Sequence, residues 1–193
     1  MSSVVAASVL AGWFVLLVVF LARKRGDGAP ARQSDRRSLL GMALEGVGFA
    51  MVWGVRRPRG ELLPGTSVGV EAGLGVATVI LMAASVWLVA SAVRTLGKQW
   101  SLTARVMEGH ALIQTGPYRL VRNPIYSGML GMLLATGLAF SRWWCIAAGA
   151  VVFLLGTLIR VASEERLLRQ EFGAEFDAYA ADVPALLPRW PRG

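Results

Sequence analysis

The sequence is poor in the residues from which metal and disulfide sites are usually built. Its 193 residues include one cysteine, Cys145, and one histidine, His110. A single thiol forms no internal disulfide and no cysteine-based metal cluster. One histidine leaves little scope for a zinc site. We therefore predict no metal centre.

Charged residues are also scarce. They make up 17% of the chain, against 55% hydrophobic residues, whereas a soluble domain carries about 25%. The mean hydropathy is +0.54. This balance predicts an integral membrane protein, and the length predicts a single domain. The net charge is +8. The charged residues cluster between apolar runs, so we expect no nucleic-acid partner.

Long apolar runs recur along the chain, and a membrane-spanning helix needs about 20 such residues. We predict an all-α integral membrane protein with about five transmembrane helices, at 4–22, 39–55, 68–93, 125–140 and 143–160. Only two residues separate the last two runs, which predicts a tight helical hairpin. Beyond residue 160, apolar residues recur at helical spacing among charges, which predicts a C-terminal amphipathic helix. We expect Gly173 to interrupt it and Pro184 to end it.

The distribution of basic residues predicts the orientation. With five spans, sixteen of the twenty lysines and arginines fall on one side of the membrane. Because positive loops stay in the cytoplasm, the C-terminus is expected there and the N-terminus outside. The first run is expected to be a retained helix and not a cleaved signal peptide. The polar segment 94–124 and the C-terminal tail would then share the cytoplasmic side and could build one site.

Two polar clusters stand at the predicted helix ends on that side. The first is 116-GPYRLVRNPIYSG-128, in which Gly116-Pro117 and Asn123-Pro124 are turn signals. Pro124 suits the first turn of a helix, where its missing N–H costs nothing. Either this stretch anchors the chain at the membrane interface, as tyrosine and arginine commonly do, or it forms half of a ligand site.

The second cluster contains Arg160 and Glu164, which are four apart and so share one helix face. They could form a surface ion pair, or they could orient a charged ligand. Glu45 is a carboxyl group inside a predicted span, which is a functional hypothesis by default. It could face a substrate channel or pair with an arginine.

These pieces together resemble the isoprenylcysteine carboxyl methyltransferase family of membrane proteins. The resemblance rests on 110-HALIQTGPYRLVRNPIYSG-128, on the helical hairpin, and on 160-RVASEERLLRQEFGAEFDAYAADVPALLP-188. It covers about the last hundred residues. It therefore predicts one membrane domain over 1–193, with three N-terminal transmembrane helices in 1–93 and a methyltransferase core in 94–193.

The resemblance implies S-adenosylmethionine as cofactor and assigns residues to it. Arg160 would be catalytic and grip the substrate, and Glu45 is added as a second substrate-binding residue. Asn123 stands where the family often has histidine, while Gln99 and Trp100 are weaker cofactor candidates. The cofactor-binding positions carried over from the family are His110, Ala111, Leu112, Ile113, Tyr118, Asn123, Pro124, Ile125, Tyr126 and Glu164.

The expected activity is methyl transfer to a lipophilic acceptor, with the carboxylate of an isoprenyl-type substrate as the leading choice. The expected partners are this acceptor and membrane lipids. The alanine-, glycine-, valine- and arginine-rich composition favours a bacterial inner membrane. Three alternatives stay open: a phospholipid amine N-methyltransferase, an NADPH-dependent membrane ene reductase, and a membrane module without enzymatic activity.

Overall fold

The computed structural model describes residues 3–24, 31–57, 67–101, 105–107 and 111–188. These residues form a helical protein, as predicted. Two one-turn 3-10 helices, at Gly97–Gln99 and Gly116–Arg119, lie between the third and fourth α-helices. The α-helices of the described ranges are α1 (Ser3–Lys24), α2 (Arg37–Gly54), α3 (Val68–Leu96), α4 (Pro124–Phe140), α5 (Trp143–Phe172) and α6 (Ala174–Asp182).

Three of these helices are long and apolar enough to cross a membrane, namely α1, α3 and α5. The protein is therefore an integral membrane protein. α4 is apolar but has only 17 residues. α2 has 18 residues, and Arg37 and Glu45 lower its hydropathy. That α2 and α4 also cross the membrane, which would make five spans, stays a prediction. The helical hairpin between α4 and α5 is confirmed.

The prediction of a separate helix after Arg160 is wrong, because the helix that carries the fifth predicted span, α5, continues without a break to Phe172. The residues after Arg160 are mostly good helix formers, so their charge does not end the helix. Gly173 does end it, since this residue adopts φ 52°, which only glycine adopts easily. The separate C-terminal helix is therefore shorter than predicted and consists of α6 alone.

A small β pairing was not predicted. β1 (Ala31–Ser34) and β2 (Arg105–Met107) pair antiparallel, with Ala31 opposite Met107. The pairing joins the segment before α2 to the segment after α3. Strands of three or four residues are too short to show an alternating pattern, so no sequence pattern predicts them.

Glycines bring α2 and α5 into backbone contact. A Cβ atom on Gly48 would lie 2.7 Å from the carbonyl oxygen of Gly149, and one on Gly156 would lie 2.5 Å from that of Gly41. Small residues of this kind allow helices in membranes to approach closely. Glu45 lies between Gly41 and Gly48. The close approach of α2 and α5 at these glycines therefore places the Glu45 side chain in contact with α5.

Several contacts collect the polar segments at one end of the helices, here called the polar end. The Asp35 carboxylate, just before α2, pairs with the Arg166 guanidinium of α5. Phe20, near the end of α1, stacks on Trp100 at 5.1 Å between ring centroids. Arg122, just before α4, pairs with Glu165 of α5. The two sequence clusters thus lie at the same end of the molecule.

Candidate functional site

A network of five side chains lies where α2, α4 and α5 meet at the polar end. Arg160 donates from a terminal nitrogen to Glu45 at 2.8 Å, and its guanidinium lies 5.0 Å from the centroid of the Tyr126 ring. Tyr126 donates its hydroxyl to Glu164. Thr157 donates to the second Glu45 oxygen at 3.1 Å. Arg160 and Glu45 are only 7% and 2% exposed, so an exposed surface ion pair is the wrong interpretation of this cluster.

Arg122 holds a second set of contacts next to this network. Its Nε donates to Glu165 at 2.9 Å, and one terminal nitrogen donates to the carbonyl oxygens of Ala180 and Val183. Its backbone N–H donates to the carbonyl oxygen of Pro184 at 2.8 Å. One arginine therefore joins α5, the end of α6 and the chain that follows.

Residues 183–188, here called the C-terminal strap, run alongside the start of α4. The backbone N–H and the side-chain nitrogen of Asn123 both donate to Ala185, at 3.0 and 3.2 Å. The Ser127 hydroxyl donates to the Leu186 carbonyl oxygen at 2.5 Å. The asparagine that replaces the family's common histidine thus fastens the strap with its side chain.

Tyr118 and Tyr179 connect the 3-10 turn to α6. The Tyr179 hydroxyl donates to the backbone carbonyl oxygen of Tyr118 at 2.7 Å. Burial raises the pKa of Tyr179 to about 12. Burial, reinforced by the nearby Glu164 carboxylate, raises the pKa of Tyr118 far above its ordinary value. Both phenols therefore stay protonated at neutral pH, and Tyr118 is a poor proton acceptor.

A cavity of about 450 Å³ extends from the polar network between the helices. Most of the predicted site residues of the described chain line it. They come from α2, from the segment before α4, from α4 and from α5. Those that the cavity brings together are Glu45, Tyr118, Asn123, Ile125, Tyr126, Arg160 and Glu164.

The remaining predicted residues are not among the lining side chains. Pro124 is buried in the first turn of α4, as its sequence position predicted. Ala111 is exposed, and its backbone N–H donates to the side-chain oxygen of Gln99, a residue that lines the cavity, at 2.8 Å. Leu112 and Ile113 follow it, half-buried. His110 lies outside the described residues.

Sequence reasoning missed the apolar wall of the cavity. On α1 the lining positions are spaced as one helix face, and α2 repeats the same spacing around Glu45. A helical projection centred on Glu45 would have found the α2 positions, but α1 has no polar residue to mark its inner face. The weaker candidates Gln99 and Trp100 also line the cavity. The missed apolar lining comprises Trp13, Leu16, Leu17, Phe20, Met42, Phe49, Leu96, Met129, Leu167 and Leu168.

The polar half of the cavity fits the chemistry of S-adenosylmethionine, which carries a sulfonium and an ammonium group. Glu164 supplies an anionic acceptor, and Tyr118, Tyr126 and Trp100 supply aromatic rings that attract cations. The volume falls within the range of about 300–1,000 Å³ that is usual for small-molecule sites. The residues present could therefore hold this cofactor at the polar end.

Fold and site together define an integral membrane protein with an interhelical cavity that is polar at one end and apolar along its length. The family comparison agrees with this class. The profile of the phospholipid methyltransferase family matches residues 74–175. The chain belongs to this family of membrane methyltransferases.

Curated relatives resemble the same part of the chain. A probable protein-S-isoprenylcysteine O-methyltransferase of Oryza sativa subsp. indica is 35% identical over 50% of this chain and 52% of its own length. Protein-S-isoprenylcysteine O-methyltransferase B of Arabidopsis thaliana is 32% identical over 51% of each chain. The chain thus spans about half the length of these relatives. The expected resemblance to the isoprenylcysteine methyltransferases is confirmed.

One further relative has a name of a different kind. The nickel-cobalt-cadmium resistance protein NccN of Alcaligenes xylosoxydans xylosoxydans is 32% identical over 49% of this chain and 45% of its own length. In the described ranges, no group of three or more histidine, cysteine, aspartate or glutamate side chains could hold a metal ion. The names of the relatives thus indicate more than one physiological role among proteins similar to this chain.

Proposed function

We propose that this protein transfers a methyl group from S-adenosylmethionine to a lipophilic acceptor within the membrane. One observation carries the proposal: a single cavity joins the Tyr126–Glu164–Arg160–Glu45 network to a long apolar wall. A polar methyl donor and an apolar methyl acceptor could meet there. Membership in the phospholipid methyltransferase family supports the same activity.

S-adenosylmethionine supplies an electrophilic methyl group, so the protein's task is to position and stabilise charge and not to form a covalent intermediate. Glu164 would hold the cationic amino group. Tyr118 and Tyr126 would present ring faces to positive charge. Asn123, Pro124 and Ile125 would shape the wall at the start of α4, and His110 to Ile113 are retained as further candidates.

The acceptor that we favour is a carboxylate on an isoprenyl-type molecule. Arg160 would grip it, because a guanidinium can bind a carboxylate through two parallel hydrogen bonds. Glu45 accepts a hydrogen bond from one terminal nitrogen of Arg160, so it would fix the orientation of the guanidinium. A carboxylate needs no general base, which suits a site whose tyrosines stay protonated. The names of the plant relatives support this class.

A phospholipid amine is the second candidate. The description of the family supports it, and so do two carboxylates, Glu45 and Glu164, in the cavity wall. An amine acceptor would be attracted to these carboxylates and would have to lose a proton before it could attack. Turnover with phosphatidylethanolamine would then exceed turnover with a prenylated cysteine.

We propose that the acceptor reaches the cavity from the bilayer, between α1 and α2. Leu17 lines the cavity and is also 53% exposed. Gly46, on the facing side of α2, would meet nothing within 4 Å if it carried a Cβ atom. The polar end would face the cytoplasm, where the methyl donor is made.

Calorimetric titration of the detergent-purified protein with S-adenosylmethionine tests this function. Glu164→Gln removes a charged acceptor, which is worth about 1.5–3 kcal/mol, so affinity should fall by at least about tenfold. Glu175→Gln, at an exposed position of α6, is the matched control and should bind normally. Folded protein that gives no binding heat would overturn the proposal, and titration with NADPH would then test the reductase alternative.

A further inference from the structure

The apolar half of the cavity has a defined depth. On α1 its lining residues extend from Phe20 at the polar end to Trp13, and on α2 they extend past Glu45 to Phe49. Glu45 belongs to the polar network, so the apolar depth below it is the four helical steps from Glu45 to Phe49, about 6 Å at about 1.5 Å per residue. Trp13 and Phe49 are the lining residues farthest from the polar network on their helices.

These two residues also close the deep end together. Their rings meet edge to face, with 5.0 Å between the centroids. The Trp13 indole N–H donates to the Thr136 hydroxyl of α4 at 3.0 Å. Phe49 packs edge to face on Phe153 of α5, at 5.4 Å. Both rings are therefore held from a second side, which makes the contact between them a firm barrier.

We propose that Trp13 and Phe49 form the floor of a tail-binding site and thereby select acceptors by the length of their hydrocarbon tail. The inference rests on the proposed methyl transfer and names the substrate class more closely. A depth of about 6 Å accommodates a chain of roughly five carbons in extended form. A prenyl group matches this depth, whereas geranyl, farnesyl and geranylgeranyl groups exceed it.

The expected length dependence follows from burial. Each methylene that enters the apolar cavity improves kcat/KM by about fourfold, since its transfer from water is worth about 0.8 kcal/mol. Carbons beyond the floor gain nothing from the cavity and must bend away. Among acceptors that differ only in their isoprenoid group, the prenyl compound should therefore be the best substrate of the wild-type protein.

Substitutions can change the depth in both directions. Phe49→Ala and Trp13→Ala open the floor, and Phe49→Leu is a milder version that preserves more of the packing. Gly46→Leu fills the cavity from the side, because a Cβ atom there meets nothing within 4 Å. The matched controls on α3 are Trp87→Ala, at a 67% exposed ring, and Gly73→Leu, where a Cβ atom also meets open space.

The experiment uses the full chain in lipid nanodiscs and N-acetyl-S-alkyl-cysteines that carry prenyl, geranyl, farnesyl or geranylgeranyl groups. Methyl transfer is measured with radiolabelled S-adenosylmethionine. The thermal unfolding temperature is measured with the same compounds and needs no turnover. We expect a prenyl optimum in the wild type and both controls, a shift to geranyl in the floor variants, and a loss of turnover and of stabilisation with all four compounds in Gly46→Leu.

If turnover depended on tail length in the same way in the wild type and in the floor variants, the proposal that Trp13 and Phe49 form the floor would be overturned. Stabilisation by none of the four compounds, or a steady rise up to geranylgeranyl, would overturn it as well. Failure of the proposed function has a different signature. In that case S-adenosylmethionine would not bind, while the length profile of the unfolding temperature would still change between the variants.

Discussion

Arg160 has two roles that a single substitution would confound. It neutralises Glu45 in a site that water hardly reaches, and it is the proposed grip on the acceptor. Removal of one partner of a buried ion pair leaves the other charge uncompensated, whereas replacement of both is often tolerated. The two roles can therefore be separated by a pair of variants.

We expect Arg160→Met to destabilise the protein by about 3–5 kcal/mol, because Glu45 stays buried without its cation. The double variant Arg160→Met with Glu45→Gln should recover most of this loss and still fail to methylate. Denaturant unfolding in detergent and an activity assay on the same samples provide the comparison. A double variant as unstable as the single one would show that the pair does not act as a unit.

For single residues, the sequence could predict which side chains share a helix face but not which side chains of other helices they contact. The spacing of Arg160 and Glu164 placed both on one side of α5, and this was correct. The sequence could not predict that Arg160 turns to Glu45 and Glu164 to Tyr126, because those contacts depend on how closely α2 and α4 approach α5. Glu45 was recognised only because a carboxyl group inside an apolar run is costly.

At the scale of helices, the crossing of α2 and α5 determines whether the ion pair can form. We expect Gly48→Ala to cost about 1–3 kcal/mol, because the new methyl group meets the Gly149 carbonyl oxygen and must push the helices apart. Gly46→Ala is the matched control, two residues away in open space. It should stabilise by up to about 1 kcal/mol through helix propensity. Thermal unfolding of both variants should show opposite signs.

Arg122 holds the C-terminal strap and the end of α6 against α5. We expect Arg122→Gln to release α6 and residues 183–188, since the guanidinium bonds to Glu165, Ala180 and Val183 are lost together. Amide hydrogen exchange should rise at residues 174–188 and 118–123. Arg119→Gln, at an exposed position of the same segment, serves as control. Unchanged exchange in Arg122→Gln would mean that the backbone bonds of the strap suffice.

Helix positions were largely predictable because each apolar run is long and bounded by charge or proline. A separate helix after residue 160 was wrongly predicted because a change of polarity was treated as a helix boundary. An α-helix that leaves a membrane keeps its backbone hydrogen bonds, so only Gly173 stops it. The β1–β2 pairing joins segments about seventy residues apart, and no local pattern predicts such a partner.

At the scale of the whole molecule, one exposed contact at the polar end makes stability depend on pH. The pKa of Asp35 is lowered from its ordinary value of 3.8, first by the backbone N–H of Arg37 and then by the Ser163 hydroxyl and Arg166. A lowered pKa means that the folded state favours the carboxylate. The stabilisation is therefore full above the ordinary value and is lost as the pH falls through the lowered one.

We expect the unfolding temperature of the wild type to fall between about pH 5 and pH 3 by more than that of Asp35→Asn. The asparagine variant should be less stable at neutral pH, and its curve should converge with that of the wild type in acid. Differential scanning calorimetry in detergent measures both curves. Parallel curves over this range would show that Asp35 does not couple folding to protonation.

The family and the general site could be predicted from the second half of the chain, where turns, tyrosines and the Arg160–Glu164 spacing carry specific information. The apolar wall of the cavity could not, because six of its ten missed lining residues belong to α1 and α2. Their sequences resemble those of any apolar membrane helix. Which of their faces points inward is determined by packing over long sequence distances.

The hydrogen bonds between the C-terminal strap and residues 122–127 also bear on how the protein is made. Helices α1 to α6 are all synthesised before residues 184–186 leave the ribosome. Until they do, Asn123 and Ser127 lack the carbonyl oxygens of the strap to which they donate in the finished fold. A partly translated chain would therefore hold its apolar helices in the bilayer while the start of α4 is still unsupported by the strap, and it would gain the proposed activity only once translation has passed the strap.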